Sequence, residues 1–280
     1  MSYQSFQTTN SEGLNLFTQV WEPQYKPWAV ICLVHGIGEH SSRYNFWAER
    51  FIEEGIAVLS FDQRGHGLSD GKKGVVASYM ALLDDIDLML GETGRLFPDV
   101  PQILYGHSLG GGEVLNHVLR RNSAYKGVIS TSPWLISQAS PGQFLVGIAR
   151  GLARIIPDLA LPTHLDTGLL SHDQEVVNAY RNDSLVHSMV SIRLFVEAYD
   201  AGYWALNHSV DLDLPVLVMH GDEDRITSSD ASRRFASYGK GFCQLEIFEG
   251  AYHELHNELM KDKVFDVQLE WIKKLLGKSE

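Results

Sequence analysis

The chain has 280 residues, 44% of them hydrophobic and 21% charged, a balance that fits a globular protein and excludes a disordered or fibrous one. Its formal net charge of -12 disfavours binding to nucleic acid or anionic lipid over the whole surface, so nucleic acid is not an expected partner. At this length a single hydrophobic core is near its limit, and one large domain with an added lobe is expected.

The opening residues MSYQSFQTTNSEG lack a basic segment followed by an apolar run, which argues against a cleaved secretory leader and for a cytoplasmic location. SYQSFQTT and the alternating GLNLFTQVWEP read as an antiparallel pair of strands. The pattern then changes. The apolar runs WAVICLVHG, GIAVLSFD, QILYG, GVIST and LPVLVMHG alternate with the helical stretches SRYNFWAERFIEEG, YMALLDDIDLMLGETGRLF and GGEVLNHVLRR. Apolar strands separated by helices indicate a mostly parallel sheet covered by helices on both faces. CQLEIF adds a last strand and VFDVQLEWIKKLL a closing amphipathic helix. Cys32, inside a buried strand, and the distant Cys243 are expected to be free thiols.

Residues 133–207 break the alternation and read as helices and loops without a convincing strand. They are expected to form an inserted helical cap between two parts of the core, 1–132 and 208–280. Phe144, Leu145, Ile148, Leu152, Ile155 and Ile156 share one side of a helical wheel there. That face suits packing on the core, an acyl channel or a lipid surface, and the sequence leaves the three open. Its segment FLVGIARGLARII is too short to span a bilayer, so contact with a membrane would be peripheral.

The stretch YGHSLGGG joins a predicted strand to a predicted helix and contains Gly-x-Ser-x-Gly centred on Ser108. A serine on such a turn sits above the sheet edge, beside helix amides that favour developing negative charge. A serine hydroxyl is a poor nucleophile without a base and an orienting acid. Among twelve histidines, those in loops after later strands fit best: His253 and His256 in AYHELH, with Asp222 and Asp224 in HGDED as candidate acids. HELH lacks the spacing of a zinc-binding H-E-x-x-H helix, so no metal is expected. The triad chemistry calls for no cofactor.

Taken together, HGIGEHSSRY, FDQRGHGLSDG, GHSLGG, HGDEDRI and EGAYHELHNE resemble the monoacylglycerol lipase family of α/β-hydrolases over nearly the whole chain. The resemblance implies an α/β-hydrolase fold, a mostly parallel eight-stranded sheet with helices on both faces and an inserted cap. It implies a triad of Ser108, Asp224 and His253, with Asp222 left to shape its turn. Ile37 and Leu109 match the positions whose backbone amides form the oxyanion hole. Glu39, Arg43 and His256 match residues at the glycerol end of the site. Arg64, His66 and Asp62 read as hydrogen-bonding scaffold, and His35 as a structural or orienting residue. The implied activity is hydrolysis of a lipid ester to fatty acid and glycerol. The sequence leaves alternatives in lysophospholipase, carboxylesterase or aminopeptidase activity, and, in another class, a non-catalytic ligand sensor. Acyl length and oligomeric state are not legible in it.

Overall fold

The structure is a computed structural model that describes residues 2–122, 124–139, 141–239 and 241–278. In chain order come β1 (Ser2–Thr9), β2 (Asn15–Glu22), β3 (Ala29–Val34), α1 (Asn45–Glu53), β4 (Ile56–Phe61), α2 (Tyr79–Leu96), β5 (Gln102–His107), α3 (Leu109–Arg120) and β6 (Gly127–Thr131). They are followed by α4 (Gln143–Ala153), β7 (Ala160–Pro162), α5 (Gln174–Asn182), β8 (Met189–Ser191), α6 (Ile192–His208), β9 (Val216–Gly221), α7 (Ser229–Tyr238), β10 (Cys243–Phe248) and α8 (Lys261–Leu275).

The chain divides into two compact units. The first comprises Met1–Gln102, Ser140–Leu165 and Ser184–Asp200; the second comprises Ile103–Ala139, Asp166–Asp183 and Ala201–Glu280. In the first, β1 and β2 form the antiparallel hairpin expected from their alternation. β2 pairs antiparallel with β4, and β4 pairs parallel with β3. β3 and β4 are buried at every position, which is why they read as unbroken apolar runs rather than alternating ones. Trp47 and Phe51 of α1 are fully buried, each contributing about 1.5–3 kcal/mol of hydrophobic stabilisation. α2 starts where the Ser78 side chain accepts the Ala81 N–H, an N-cap that satisfies one of the unpaired amides of the first turn.

In the second unit β5, β6, β9 and β10 are all parallel neighbours in that order. Within the eight-stranded sheet, only the pairings of β2 are antiparallel among those described, so that sheet is mostly parallel. α8 turns Val264, Phe265, Leu269, Trp271 and Ile272 inward, the stripe its amphipathic sequence predicts.

The interval 133–207 differs in detail from its reading as helices and loops. It contains a short antiparallel pair, β7 with β8, each strand only three residues long and too short to show a period of two. Its apolar helix α4 ends at Ala153, so Ile155 and Ile156 lie beyond it, just before Pro157. The expected apolar face faces outward: Phe144 is 80% and Ile155 77% exposed, with Leu145, Ile148, Leu152 and Ile156 also exposed. Both cysteines are free.

Candidate active site

β5 runs directly into the turn that carries Ser108, and the geometry of that turn explains its glycines. Ser108 has φ 55 and ψ -116, a region that costs a residue with a Cβ about 1–3 kcal/mol and persists only where the surroundings enforce it. Here they do. The Ser108 N–H donates to Thr131 O at 3.0 Å, and Ser108 O accepts from Gly112 N at 3.0 Å and Trp134 N at 2.8 Å. A Cβ at Gly106 would lie 2.2 Å from Gly110 O; strand and helix approach that closely only because none is present. Leu109 opens α3 and is buried.

Asp224 lies in the loop after β9. Its Oδ1 accepts the N–H groups of Ile226 at 2.7 Å and Thr227 at 3.0 Å. Its Oδ2 lies 2.7 Å from His253 Nδ1, 3.0 Å from His220 Nε2 and 2.8 Å from the Thr227 hydroxyl. Burial pushes this carboxyl up, but the charge of His253 and hydrogen bonds from His220 and His253 outweigh it and hold Asp224 well below the usual carboxylate range. Asp222, two residues earlier, is exposed and accepts the Gly250 N–H at 2.7 Å.

His253 follows β10. Its Nε2 is 2.9 Å from Ser108 Oγ, and its backbone carbonyl accepts the Ser132 hydroxyl at 2.7 Å. Ser108, Asp224 and His253 are thus brought into one hydrogen-bonded row, all of it within the second unit and all of it buried. The acid and histidine loops cross at Gly221, where a Cβ would meet Ala251 O at 2.2 Å and Tyr252 O at 2.5 Å. The histidine loop is further fastened by Glu254 N to Leu170 O at 2.8 Å and by Glu258, which accepts the Tyr252 N–H at 2.9 Å. The His256 ring packs 4.9 Å from that of His107, which lies 4.8 Å from that of His253.

Three residues that bond to this row were not singled out from sequence. His220 sits at the end of β9 with Nδ1 on the Ser232 hydroxyl at 2.7 Å. Thr227 reaches Asp224 and also lies 3.1 Å from Ser132 O. Ser132, at φ 44, ties the loop after β6 to both others, its N–H donating to Met219 O at 2.8 Å. The signal available in sequence was only that His220 and Thr227 flank the candidate acid.

The remaining predicted residues lie in the first unit. Ile37 belongs to the loop after β3. His35 anchors that loop: its Nδ1 donates to Gly36 O at 2.7 Å and its Nε2 accepts Gln63 N–H at 2.9 Å. Burial lowers its pKa, in keeping with the neutral ring these bonds require. Glu39 accepts the Gly36 N–H at 2.6 Å and the Tyr44 hydroxyl at 2.8 Å, and pairs with Arg43, four residues on. Buried Glu39 and half-buried Arg43 are therefore brought together as an ion pair. Asp62 accepts the Ser41 N–H and Leu68 N–H, both at 2.8 Å. Arg64 is buried against Asp85, with Nε 2.7 Å from Oδ2, and also reaches Glu12. His66 Nδ1 donates to Arg64 O at 3.0 Å. Among the described residues, no group of three or more His, Cys, Asp or Glu is placed to hold a metal ion.

A serine on a strained strand-to-helix turn, a histidine and a carboxylate in loops after later strands define an α/β-fold serine hydrolase. Residues 25–260 match the family Hydrolase_4, described as serine aminopeptidase, S33. The chain is 34% identical over 276 residues to an abhydrolase domain-containing protein of Dictyostelium discoideum, covering 98% of this chain but only 29% of that protein. It is 32% identical over 265 residues to a monoacylglycerol lipase of Mycolicibacterium smegmatis, covering 93% of each. The crystal structure of Paleococcus ferrophilus monoacylglycerol lipase superimposes with a TM-score of 0.85 at 33% identity, covering 94% of this chain and 99% of that one. The chain belongs to the monoacylglycerol lipase family of α/β-hydrolases, within Hydrolase_4. No helix of the described residues is long and apolar enough to cross a membrane.

Proposed function

We propose that this protein hydrolyses the ester bond of monoacylglycerols to fatty acid and glycerol through an acyl-enzyme on Ser108. The single observation that carries the reading is the row Ser108 Oγ, His253 Nε2, His253 Nδ1 and Asp224 Oδ2, with its 2.9 and 2.7 Å separations. Similarity to monoacylglycerol lipases along most of the chain supports the substrate class.

In this mechanism His253 Nε2 takes the hydroxyl proton of Ser108 as Oγ attacks the ester carbonyl, and Asp224 stabilises the imidazolium that forms. The backbone amides of Ile37 and Leu109 are the proposed donors to the oxyanion. Collapse of the tetrahedral intermediate breaks the bond to glycerol oxygen, which receives the proton from His253. Water then repeats the cycle on the acyl-serine: His253 takes one of its protons, the fatty acid departs and Ser108 regains its hydrogen. Loss of one oxyanion donor in such sites costs about 10²–10³ in rate. Glu39, Arg43 and His256 are assigned to the glycerol end. The Glu39 pair supports a role in fixing the Ile37 loop, since Glu39 binds Gly36 N–H directly.

The interval 133–207 is the cap in this reading, and the outward apolar face of α4 supports a transient contact with a lipid surface. Its test is flotation with phosphatidylcholine vesicles: Phe144→Ser with Ile155→Ser should release the protein from them. Equal flotation would remove this part of the proposal.

The activity itself is tested on a monoacylglycerol, a matched lysophosphatidylcholine, a short-chain ester and an aminoacyl anilide, with Ser108→Ala as the blank. The expected result is the highest kcat/KM on the monoacylglycerol, falling by about 10⁵–10⁶ in the Ser108→Ala protein. Preference for the lysophospholipid or the anilide would overturn the substrate assignment. Folded protein without turnover or fluorophosphonate labelling would point to ligand binding alone.

A further inference from the structure

The carboxylate of the row has a second imidazole on it. We propose that His220 is a positioning residue for the reaction: it donates its Nε2–H to Oδ2 of Asp224, the oxygen that faces His253, and so fixes the carboxylate and shares its charge. The inference rests on the triad assignment made above and adds a residue that this assignment does not contain.

Its tautomer follows from its neighbours. His220 Nδ1 lies 2.7 Å from the Ser232 hydroxyl, and Nε2 lies 3.0 Å from Asp224 Oδ2. A carboxylate is acceptor only, so the nitrogen facing it must carry the hydrogen, and the serine hydroxyl then donates to the bare Nδ1. His220 is itself fully buried, held at the end of β9 by Ser232 from α7. The groups that face it are Ser232, the Thr227 hydroxyl at 3.3 Å, Asp224 and, through Asp224, His253.

Two effects follow. The Asp224 side chain is pinned on Oδ1 by two backbone amides, and His220 is the fixed ring that holds Oδ2 against rotation or retreat from His253. Hydrogen bonds to a charged group contribute more than neutral ones, and leaving one unmade in a buried site costs more still. In addition, Oδ2 divides its negative charge between two imidazole donors. With His220 removed, only His253 and the Thr227 hydroxyl remain on Oδ2, and His253 then holds its catalytic proton more tightly.

The test is His220→Leu and His220→Gln. Leucine fills space without a donor; glutamine carries an amide N–H near the position of Nε2. His220→Leu should lower kcat on the monoacylglycerol by about 10–100-fold with KM changed by less than about twofold. The acid limb of its kcat/KM profile should move to higher pH by about 0.5–1 unit. His220→Gln should recover kcat to within about fivefold of wild type and return the limb. If the leucine protein does not fold, His220→Asn takes its place, because its shorter side chain puts an amide near Ser232 and out of reach of Oδ2. The proposal is overturned by wild-type kinetics in the donor-less variant. It is equally overturned by a loss of activity that moves no limb and is not recovered by glutamine. Ser108→Ala run in parallel separates the two readings: turnover surviving in it sinks the triad, whereas an inert Ser108→Ala beside a wild-type His220→Leu sinks only the role of His220.

Discussion

Asp224 carries the heaviest electrostatic load in the row, because it is buried yet ionised by the donors that converge on it. An amide in its place offers N–H groups where His253 Nδ1–H needs an acceptor, and so favours the wrong tautomer. Asp224→Asn should leave the fold intact and lower kcat by about 10⁴. Asp222→Asn should stay within about threefold of wild type, as surface changes usually do. Steady-state kinetics on both checks this, and an active Asp224→Asn beside an inactive Asp222→Asn would exchange the two assignments. At this scale the local motifs pointed to residues that the fold brings within hydrogen-bonding distance: Ser108 in its glycine turn and Asp224 and His253 in loops after strands. The sequence was silent on His220, Thr227 and Ser132. Their contacts with the row depend on which way a strand-end side chain or a tight turn points in space, and spacing alone does not encode that.

At the scale of elements, the elbow between β5 and α3 depends on close backbone approach. Gly106→Ala places a methyl group 2.2 Å from Gly110 O, where backbone and not a flexible side chain must yield. The variant should lose about 1–3 kcal/mol of stability and label slowly with a fluorophosphonate even where it remains folded. Thermal melts and timed labelling measure the two, and wild-type behaviour in both would refute the steric argument. The long apolar strands and amphipathic helices were legible because burial imposes their periods. α7 was not, since its inward residues are the small Ala231 and Ser232 with only Phe235 large. Its one clear sign was Ser228, whose side chain caps the helix through the Ala231 N–H.

For the whole molecule, three buried histidines of the first unit set a limit at low pH. His187 is pushed down to about 4 by burial. Burial also lowers His35 and His66. The His187 ring is bonded as a neutral group: Nε2–H donates to Gly65 O at 3.1 Å and Nδ1 accepts the Met189 N–H at 3.2 Å. Its folded value lies below the ordinary 6.5, so between those values the unfolded chain binds more protons than the folded one. Stability therefore falls as pH drops from 6.5 towards about 4. Melting temperatures measured across that interval should decline, and less steeply in His187→Gln; a constant Tm in the wild type would contradict this. The α/β class and strand sequence of the molecule were readable from the alternation of apolar runs and helices. The small β7–β8 pair and the outward face of α4 were not, because neither length nor hydrophobicity says which side of an apolar helix is covered.

The crossing at Gly221 bears on how such a molecule changes over generations. Any lineage that gives this position a side chain must also displace the carbonyls of Ala251 and Tyr252, and with them the histidine next in the chain. The positions of Asp224 and His253 are therefore tied to each other through this one glycine.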